Sequence, residues 1–497
     1  MQTVVSVEQM RSNEMRAIHS GIDAKELMLR AARGILRSYA WCGPVAIVCG
    51  DGNNAGDGYA LAVLLTEQGI PCTVVRLSNR ATETGDFYLS QCRMLGVEIC
   101  AYTPDFSFSP YREIVDCIFG TGFHGTVTGI FRDAVEAINQ SGKFVLCADI
   151  NSGLNGNNGL GDVCVRSDLT VSIGHYKVGH FTGIAKDVIG GLCNAEIGIT
   201  AEELTGYLLE ESDLREVFPK RSQATHKGNY GYVSVMGGCI VYSGAVKLAN
   251  MSCAALRAGA GVSQLIVPRA LATAVLPYLL ESTLALIPDE DGKMIFSKPE
   301  LDASLARQAA LAVGMGWGNS MENTEILRYI LQNYAFSLVI DADGLNALST
   351  MKDADRMLRE SHCQTVLTPH VKELERISQI PVEEILKDPV RAVTQYASRT
   401  GSCVLLKGAC TLISDGKVCY FVNRGCAGMA TAGSGDVLSG VLAGMLGYLP
   451  PTPKTIAAGA FLTGYAGELA QKECTEVGML SSDTVKKLPN ALRKLLS

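Results

Sequence analysis

The segment Ala432-Gly433-Ser434-Gly435-Asp436-Val437-Leu438-Ser439-Gly440 joins small residues to an acid and then to an apolar helical pattern. Glycines lack a Cβ, so their backbone N–H groups can close on a bound anion. The helix that follows aims the positive end of its dipole at the same point. Asp436 stands at that helix start, where a carboxylate can take the proton of a substrate hydroxyl beside a phosphate. These parts suit phosphoryl transfer to an alcohol. For the local string alone, a glycine-rich turn with Asp436 as a plain helix N-cap is the alternative.

A second loop system lies in the first half. Gly50-Asp51-Gly52-Asn53-Asn54-Ala55-Gly56-Asp57-Gly58 follows an apolar run and opens a helical pattern, the place where open α/β sheets bind phosphates. Two further strand ends carry acids followed by small residues: Asp116-Cys117-Ile118-Phe119-Gly120-Thr121-Gly122-Phe123-His124-Gly125 and Ala148-Asp149-Ile150-Asn151-Ser152-Gly153. Oxygen donors such as Asn54, Asp116 and Ser152 can hold a hard cation, which leaves Asp149 for acid/base work. The second half adds Gly314-Met315-Gly316-Trp317-Gly318, Asp341-Ala342-Asp343-Gly344-Leu345-Asn346, Leu367-Thr368-Pro369-His370 and Leu405-Leu406-Lys407-Gly408-Ala409-Cys410-Thr411. Lys407 supplies a cation beside a glycine turn that can grip a nucleotide phosphate. No Walker sequence occurs, which excludes a P-loop protein.

These groups need elements to position them. The chain has 497 residues, 47% hydrophobic and 19% charged, enough for two or three well-filled domains. In the first half, apolar runs at 45–50, 72–77, 113–119, 144–149 and 169–173 alternate with helical patterns such as 57–68, after a helical stretch over 6–39. Strands buried on both faces and separated by helices form a parallel, doubly wound sheet. The polar stretch 200–227 places a boundary near 215–225. The alternation then restarts, with strands expected at 232–236, 264–267, 310–313, 337–340, 365–367 and 403–406. A helix opens at Ser243-Gly244-Ala245 and closes at Arg257-Ala258-Gly259-Ala260, a hairpin turns at Asp415-Gly416, and helices follow over 437–447 and 455–471. The expected fold class is therefore α/β, with two doubly wound domains at 1–215 and 220–497. The net charge of −7 gives no reason to expect a nucleic-acid partner. Seventeen cysteines without a C-x-x-C pair read as reduced thiols in a cytoplasmic protein. No apolar run is long enough to cross a bilayer.

The three first-half segments resemble the NAD(P)HX epimerase family, whose pattern is a G-x-G-N-N-G-G-D-G loop, a D-x-x-x-G strand end and a D-I-P-S-G strand end. The resemblance spans roughly residues 6–210. It implies a Rossmann-like domain that interconverts the R and S forms of hydrated NADH or NADPH. By matching position it implies substrate contacts from Asn53, Asn54, Ala55, Gly56, Asp57, Gly120, Thr121, Gly122, Phe123, His124, Gly125 and Asp149. It also implies potassium at Asn54, Asp116 and Ser152, and Asp149 as the catalytic acid. Asp51 and Asn151 stand where the family has proline, and Ala55 where it has glycine; these departures bear on loop rigidity.

The second half resembles the NAD(P)HX dehydratase family, a branch of the ribokinase-like fold, over roughly residues 220–495. The matches are K-G-x-Y-G, S-G-A, A-G-A-G, D-A-D-G-L-N, T-P-H, L-K-G-A-x-T and A-T-A-G-S-G-D-V-L-S-G, whereas Gly314-Met315-Gly316 lacks the usual Gly-Pro-Gly and Val371-Lys372 replaces Pro-Gly. The resemblance implies that Ala260, Gly316, Gly318, His370 and Asp436 contact the hydrated nucleotide. Lys407, Gly408, Ala409, Cys410, Thr411 and Gly435 would contact ADP or ATP, with magnesium, and Asp436 would be catalytic. Together the two resemblances imply a bifunctional homo-oligomer that takes NADHX or NADPHX and ADP and releases NAD(P)H, AMP and phosphate. A kinase of a small alcohol would instead release a stable phosphorylated product. A noncatalytic first half would have no use for Asp149 or the Asn-Asn loop.

Overall fold

A computed structural model describes residues 1–253 and 257–496. The chain forms two compact units, Gln2–Gly206 and Tyr207 onward together with Met1.

In the N-terminal unit, β1 (Val45–Cys49), β2 (Cys72–Arg76), β3 (Glu98–Ala101), β4 (Glu113–Cys117), β5 (Phe144–Ala148), β6 (Ser167–Ile173) and β7 (Ile189–Ala195) form one sheet in the order β3-β2-β1-β4-β5-β6-β7. Every pairing is parallel. Along β1, Val45, Ile47 and Cys49 enter one apolar cluster while Ala46 and Val48 enter another. Both faces are thus buried, which is why the run is continuously apolar rather than alternating. The helical stretch 6–39 is two helices, α1 (Val7–His19) and α2 (Ala24–Arg37). Ser6 and Gln9 close α1 with a reciprocal capping box, and Asp23 caps α2.

Helix α3 spans Asn53–Glu67, four residues earlier than the expected start at Asp57. Its N-cap is Gly52, which offers no side-chain bond to the first-turn amides. The Asn-Asn pair therefore belongs to the helix's first turn rather than to a loop.

In the C-terminal unit, β8 (Tyr232–Met236), β9 (Val262–Pro268), β10 (Ser282–Ile287), β11 (Ala310–Val313), β12 (Ser337–Ile340), β13 (Gln364–Leu367) and β14 (Cys403–Leu406) run parallel in the order β10-β9-β8-β11-β12-β13-β14. The hairpin β15 (Thr411–Ser414) and β16 (Cys419–Val422) continues it antiparallel. Helix α4 (Ser243–Cys253) packs on α7 (Ser434–Leu446). A Cβ on Gly440 would lie 2.0 Å from the Ala249 carbonyl oxygen, so the last glycine of the Asp436 motif is there for this helix approach. The close expected at Arg257-Ala258-Gly259-Ala260 is not helical: the described helix ends at Cys253, residues 254–256 lie outside the described residues, and 257–260 are bend and irregular chain. Between the two comes α5 (Asp343–Thr350) and then α6 (Val371–Ser378). Among the described residues, no helix is long and apolar enough to cross a membrane.

Candidate active sites

In each unit the sheet changes direction at one strand. β1 has β2 on one side and β4 on the other, and β8 has β9 and β11. Ligand sites in open α/β sheets form beyond the carboxyl ends of strands at such points.

At the N-terminal switch point lies a cavity of about 620 Å³. Its walls come from α1, the start of α3, the 118–124 loop, Asp149 and Lys177. Asp149 follows β5 with a left-handed φ of 65°, a conformation that an L-residue keeps only where its surroundings demand it. Its Oδ1 accepts a hydrogen bond of 2.5 Å from Lys177 Nζ, which also donates to the Ile173 carbonyl at 2.7 Å. Lys177 is 1% exposed. Burial pushes the Asp149 carboxyl up, but the charge and hydrogen bond of Lys177, with His180 and the Ile173 amide, outweigh it and hold the pKa below the usual range. Asp57, on the same cavity wall, behaves oppositely: burial, then Asp149 and Glu14, push it well above the usual carboxylate range. Glu14 is raised as well, chiefly by burial. His180 bonds the Asp149 carbonyl oxygen at 2.8 Å and is held neutral, near 4, by burial and the Lys177 ammonium.

Behind this wall lie the oxygens expected to hold a cation. Ser152 Oγ donates to Asp116 Oδ1 at 2.6 Å, and the Ser152 amide donates to Oδ2 at 2.9 Å. Asp116 is fully buried and raised by burial. Asn54 Nδ2 donates to the Phe119 carbonyl at 3.0 Å, while its buried Oδ1 has no partner among the described residues. An all-oxygen set with one orphaned carbonyl oxygen fits a hard cation.

The C-terminal site centres on Asp436, the third residue of α7, whose N-cap is Gly433 at φ 96°. Asp436 is therefore not the helix cap. Lys407, at the end of β14, donates to Asp341 Oδ1 at 2.7 Å and lies 3.6 Å from Glu373 Oε2. Ser439 Oγ donates to Asp341 Oδ2 at 2.7 Å. A Cβ on Gly435 would sit 3.5 Å from both Asp341 Oδ2 and Lys407 Nζ. Burial, then the Asp341 charge, lift Asp436 to about 7 against the pull of Lys407. Burial disfavours the Lys407 ammonium, but Asp341 and Glu373 more than compensate and raise it. Ala342, between Asp341 and Asp343, has a φ of 47°, strain that costs about 1–3 kcal/mol and is typical of sites.

Two family profiles match the chain: one described as "NAD(P)H-hydrate dehydratase" over residues 233–490, and one described as "YjeF-related protein N-terminus" over 24–179. The "Bifunctional NAD(P)H-hydrate repair enzyme Nnr" of Moorella thermoacetica is 32% identical over 91% of this chain and 88% of its own length. The protein of the same name from Coxiella burnetii is 30% identical over 96% of each. The chain belongs to the bifunctional NAD(P)H-hydrate repair enzyme family. Among solved structures, a ribokinase-like superfamily protein of Enterococcus faecalis is 25% identical with a TM-score of 0.51, covering 58% of this chain and 95% of that one. An ADP/ATP-dependent NAD(P)H-hydrate dehydratase of Bacillus subtilis, co-crystallized with ATP/Mg2+, is 23% identical with a TM-score of 0.50, over 59% and 100%. It shares the fold of the C-terminal unit.

Against the family pattern, the cavity is lined by Asn53, Asn54, Asp57, Gly120, Thr121, Gly122, Phe123, His124 and Asp149, but not by Ala55, Gly56 or Gly125. Ala55 is buried in the core. Gly56 is a packing glycine, since its Cβ would meet Met28 Cε at 2.4 Å. Gly125 faces open space at φ 97°. Asn151, in place of the family proline, ties its loop down through Val165, Val188, Ser167 and Thr170, so rigidity is kept by hydrogen bonds.

In the C-terminal repair half, Gly435, Asp436, Lys407 and His370 come together. His370 caps α6 and lies 3.4 Å from Glu373. Gly318 joins through its amide, which donates to Asp343 at 2.7 Å. Gly316 at φ 60° lies against the Tyr242 carbonyl. Gly408, Ala409 and Cys410 form the bend after Lys407, and Thr411 opens β15. Ala260 is a core residue at 2% exposure, in the apolar cluster that also holds Val437 and Leu438.

Sequence reasoning missed Lys177, Glu14 and Arg11 in one half and the roles of Asp341, Glu373 and Ser439 in the other. A lone lysine in the otherwise uncharged Tyr176-Lys177-Val178-Gly179 was the available signal for the first.

Proposed function

We propose that the N-terminal unit epimerises R- and S-NAD(P)HX and that the C-terminal unit dehydrates the S form at the expense of ADP, or of ATP. The observation that carries this reading is a poised acid–base set in each unit of one chain. One set is Asp149 against Asp57; the other is Asp436 beside Lys407. Neighbouring carboxyls driven apart in pKa take opposite proton-transfer roles.

In the first unit Asp149, kept ionised by Lys177, accepts the proton of the C6 hydroxyl. The C6–N1 bond then opens, with Asp57 as the neutral acid that protonates N1, and it closes on either face. Asn54, Asp116 and Ser152 would hold potassium there. The bound ion would offset the buried carboxylate and fix the loop.

In the second unit Asp436 takes the proton of the C6 hydroxyl, and that oxygen attacks the terminal phosphorus of ADP, releasing AMP. The resulting phosphate ester leaves C6 with the C–O bonding electrons as C5 loses a proton, giving NAD(P)H and phosphate. Lys407, ion-paired with Asp341, would offset the developing phosphate charge. Gly408, Ala409, Cys410, Thr411 and Gly435 would contact the adenine nucleotide. His370, Gly316, Gly318 and Ala260 would contact the hydrate. Magnesium would arrive on the nucleotide phosphates. The same reading takes the chain as a cytoplasmic homo-oligomer, divided functionally near residues 215–220; its seventeen cysteines are all unbridged.

The test is to give the chain mixed R- and S-NADPHX with ADP or ATP and follow absorbance of the reduced nicotinamide. Full recovery is expected. Recovery of the R fraction no faster than spontaneous epimerisation sinks the epimerase, no recovery with either nucleotide sinks the dehydratase, and a stable phosphorylated product marks a kinase.

A further inference from the structure

We propose that Arg11 of α1 binds the diphosphate of the dinucleotide substrate at the epimerase cavity. The inference rests on the epimerase reading of that unit. The charged groups lining the cavity, His124 aside, are Arg11, Glu14, Asp51, Asp57, Asp149 and Lys177. Four are acids and two are cations. The Lys177 ammonium is already committed to Asp149 Oδ1 and the Ile173 carbonyl. Arg11 is the lining cation left with no hydrogen bond or ion pair among the described residues. Glu8 and Glu14 feel its charge without a contact.

A dianionic diphosphate entering a cavity with four carboxyls needs a cation that is free to turn toward it. A guanidinium is the side chain best matched to phosphate oxygens, through paired N–H donors. Position supports the assignment. Arg11 Nη2 would lie 3.0 Å from a Cβ placed on Gly122, so the guanidinium rests against the backbone of the 118–124 loop. On the same cavity, Gly52, Asn53 and Asn54 present the start of α3, whose first-turn amides have no side-chain cap. Arg11 lies outside the matched stretch 24–179, so this contact comes from the helix that precedes it.

The experiment omits ADP and ATP, so the dehydratase stays idle, and follows R-to-S conversion by chiral chromatography. The substrates are the R hydrate of NADH and the R hydrate of reduced nicotinamide riboside, which has no phosphate. Arg11→Ala is expected to lower kcat/KM on the dinucleotide about tenfold or more, mainly through KM. It should leave the riboside rate at the wild-type value, and Arg11→Lys should recover part of the loss. An unchanged dinucleotide rate would overturn the proposal, as would an equal loss on both substrates, which is what a structural role gives. A wild-type chain that fails to speed conversion of either hydrate would overturn the epimerase reading and this assignment with it.

Discussion

Burial and the Asp341 charge lift the Asp436 carboxyl to about 7, with opposite consequences for chemistry and for stability. A base must be deprotonated to act, so dehydration should fall on the acid side of about pH 7, read as an acid limb in the pH profile of kcat/KM. For stability, the folded value lies above the ordinary 3.8, so the fold disfavours the charged form. The penalty is absent below the unfolded value and complete once pH has risen past the folded one. Asp436→Asn should therefore abolish dehydration yet raise the melting temperature, more at about pH 8 than at about pH 5. A lower melting temperature at about pH 8 would contradict the assignment. Lys177 makes the reverse case. It is buried against Asp149, whose pKa is depressed, so the pair stabilises the fold above the usual carboxylate range and the gain is lost as pH falls through the folded value. Lys177→Met leaves a buried carboxyl without its cation. That should cost about 3 kcal/mol or more in urea unfolding of the N-terminal unit and end epimerisation, while dehydration of pure S-NADPHX continues.

At the scale of elements, both sites depend on turns that pass closer than a side chain allows. A Cβ on Gly50, at the end of β1, would lie 2.1 Å from the Ile118 carbonyl oxygen. A Cβ on Gly314, after β11 at φ 115°, would lie 1.9 Å from the Asp341 carbonyl oxygen. Gly50→Ala should depress epimerisation and Gly314→Ala dehydration, each with a loss of about 1–3 kcal/mol in the unfolding of its own unit, measured by calorimetry alongside the two rates. Equal damage to both activities would contradict this. The central strands were legible because a strand buried on both faces must be continuously apolar, as Val45–Cys49 is. β3 was not, since it is a half-exposed edge carrying Glu98, and Gly190 and Gly191 mask β7. The start of α3 was misread because helix-start rules look for a side-chain cap, and Gly52 offers none. Asp436 and Asp149 could be read because each sits in a short motif. Lys177 lies 28 residues from Asp149, and only the tertiary fold brings them together.

On the scale of the whole chain, every side chain placed in the epimerase site lies within Gln2–Gly206, and every one placed in the dehydratase site lies after Tyr207. Each proposed site thus draws its side chains from one unit, and losing one carboxylate leaves the other site's donors and acceptors in place. Asp149→Ala should recover NADPH from the S fraction of mixed NADPHX plus the slow spontaneous flux, and Asp436→Ala should recover none. Since each variant keeps one whole site, an equimolar mixture should carry the racemate to the wild-type end point. The R form is epimerised on one molecule, diffuses, and is dehydrated on another. The measurement is the time course of reduced-nicotinamide absorbance with ADP or ATP in excess, beside Asp149→Ala alone. A mixture that recovers the R fraction no faster than Asp149→Ala alone would mean that the two carboxylates must act within a single molecule. Sites built from side chains 287 positions apart in sequence, each enclosed by its own unit, predict complementation instead.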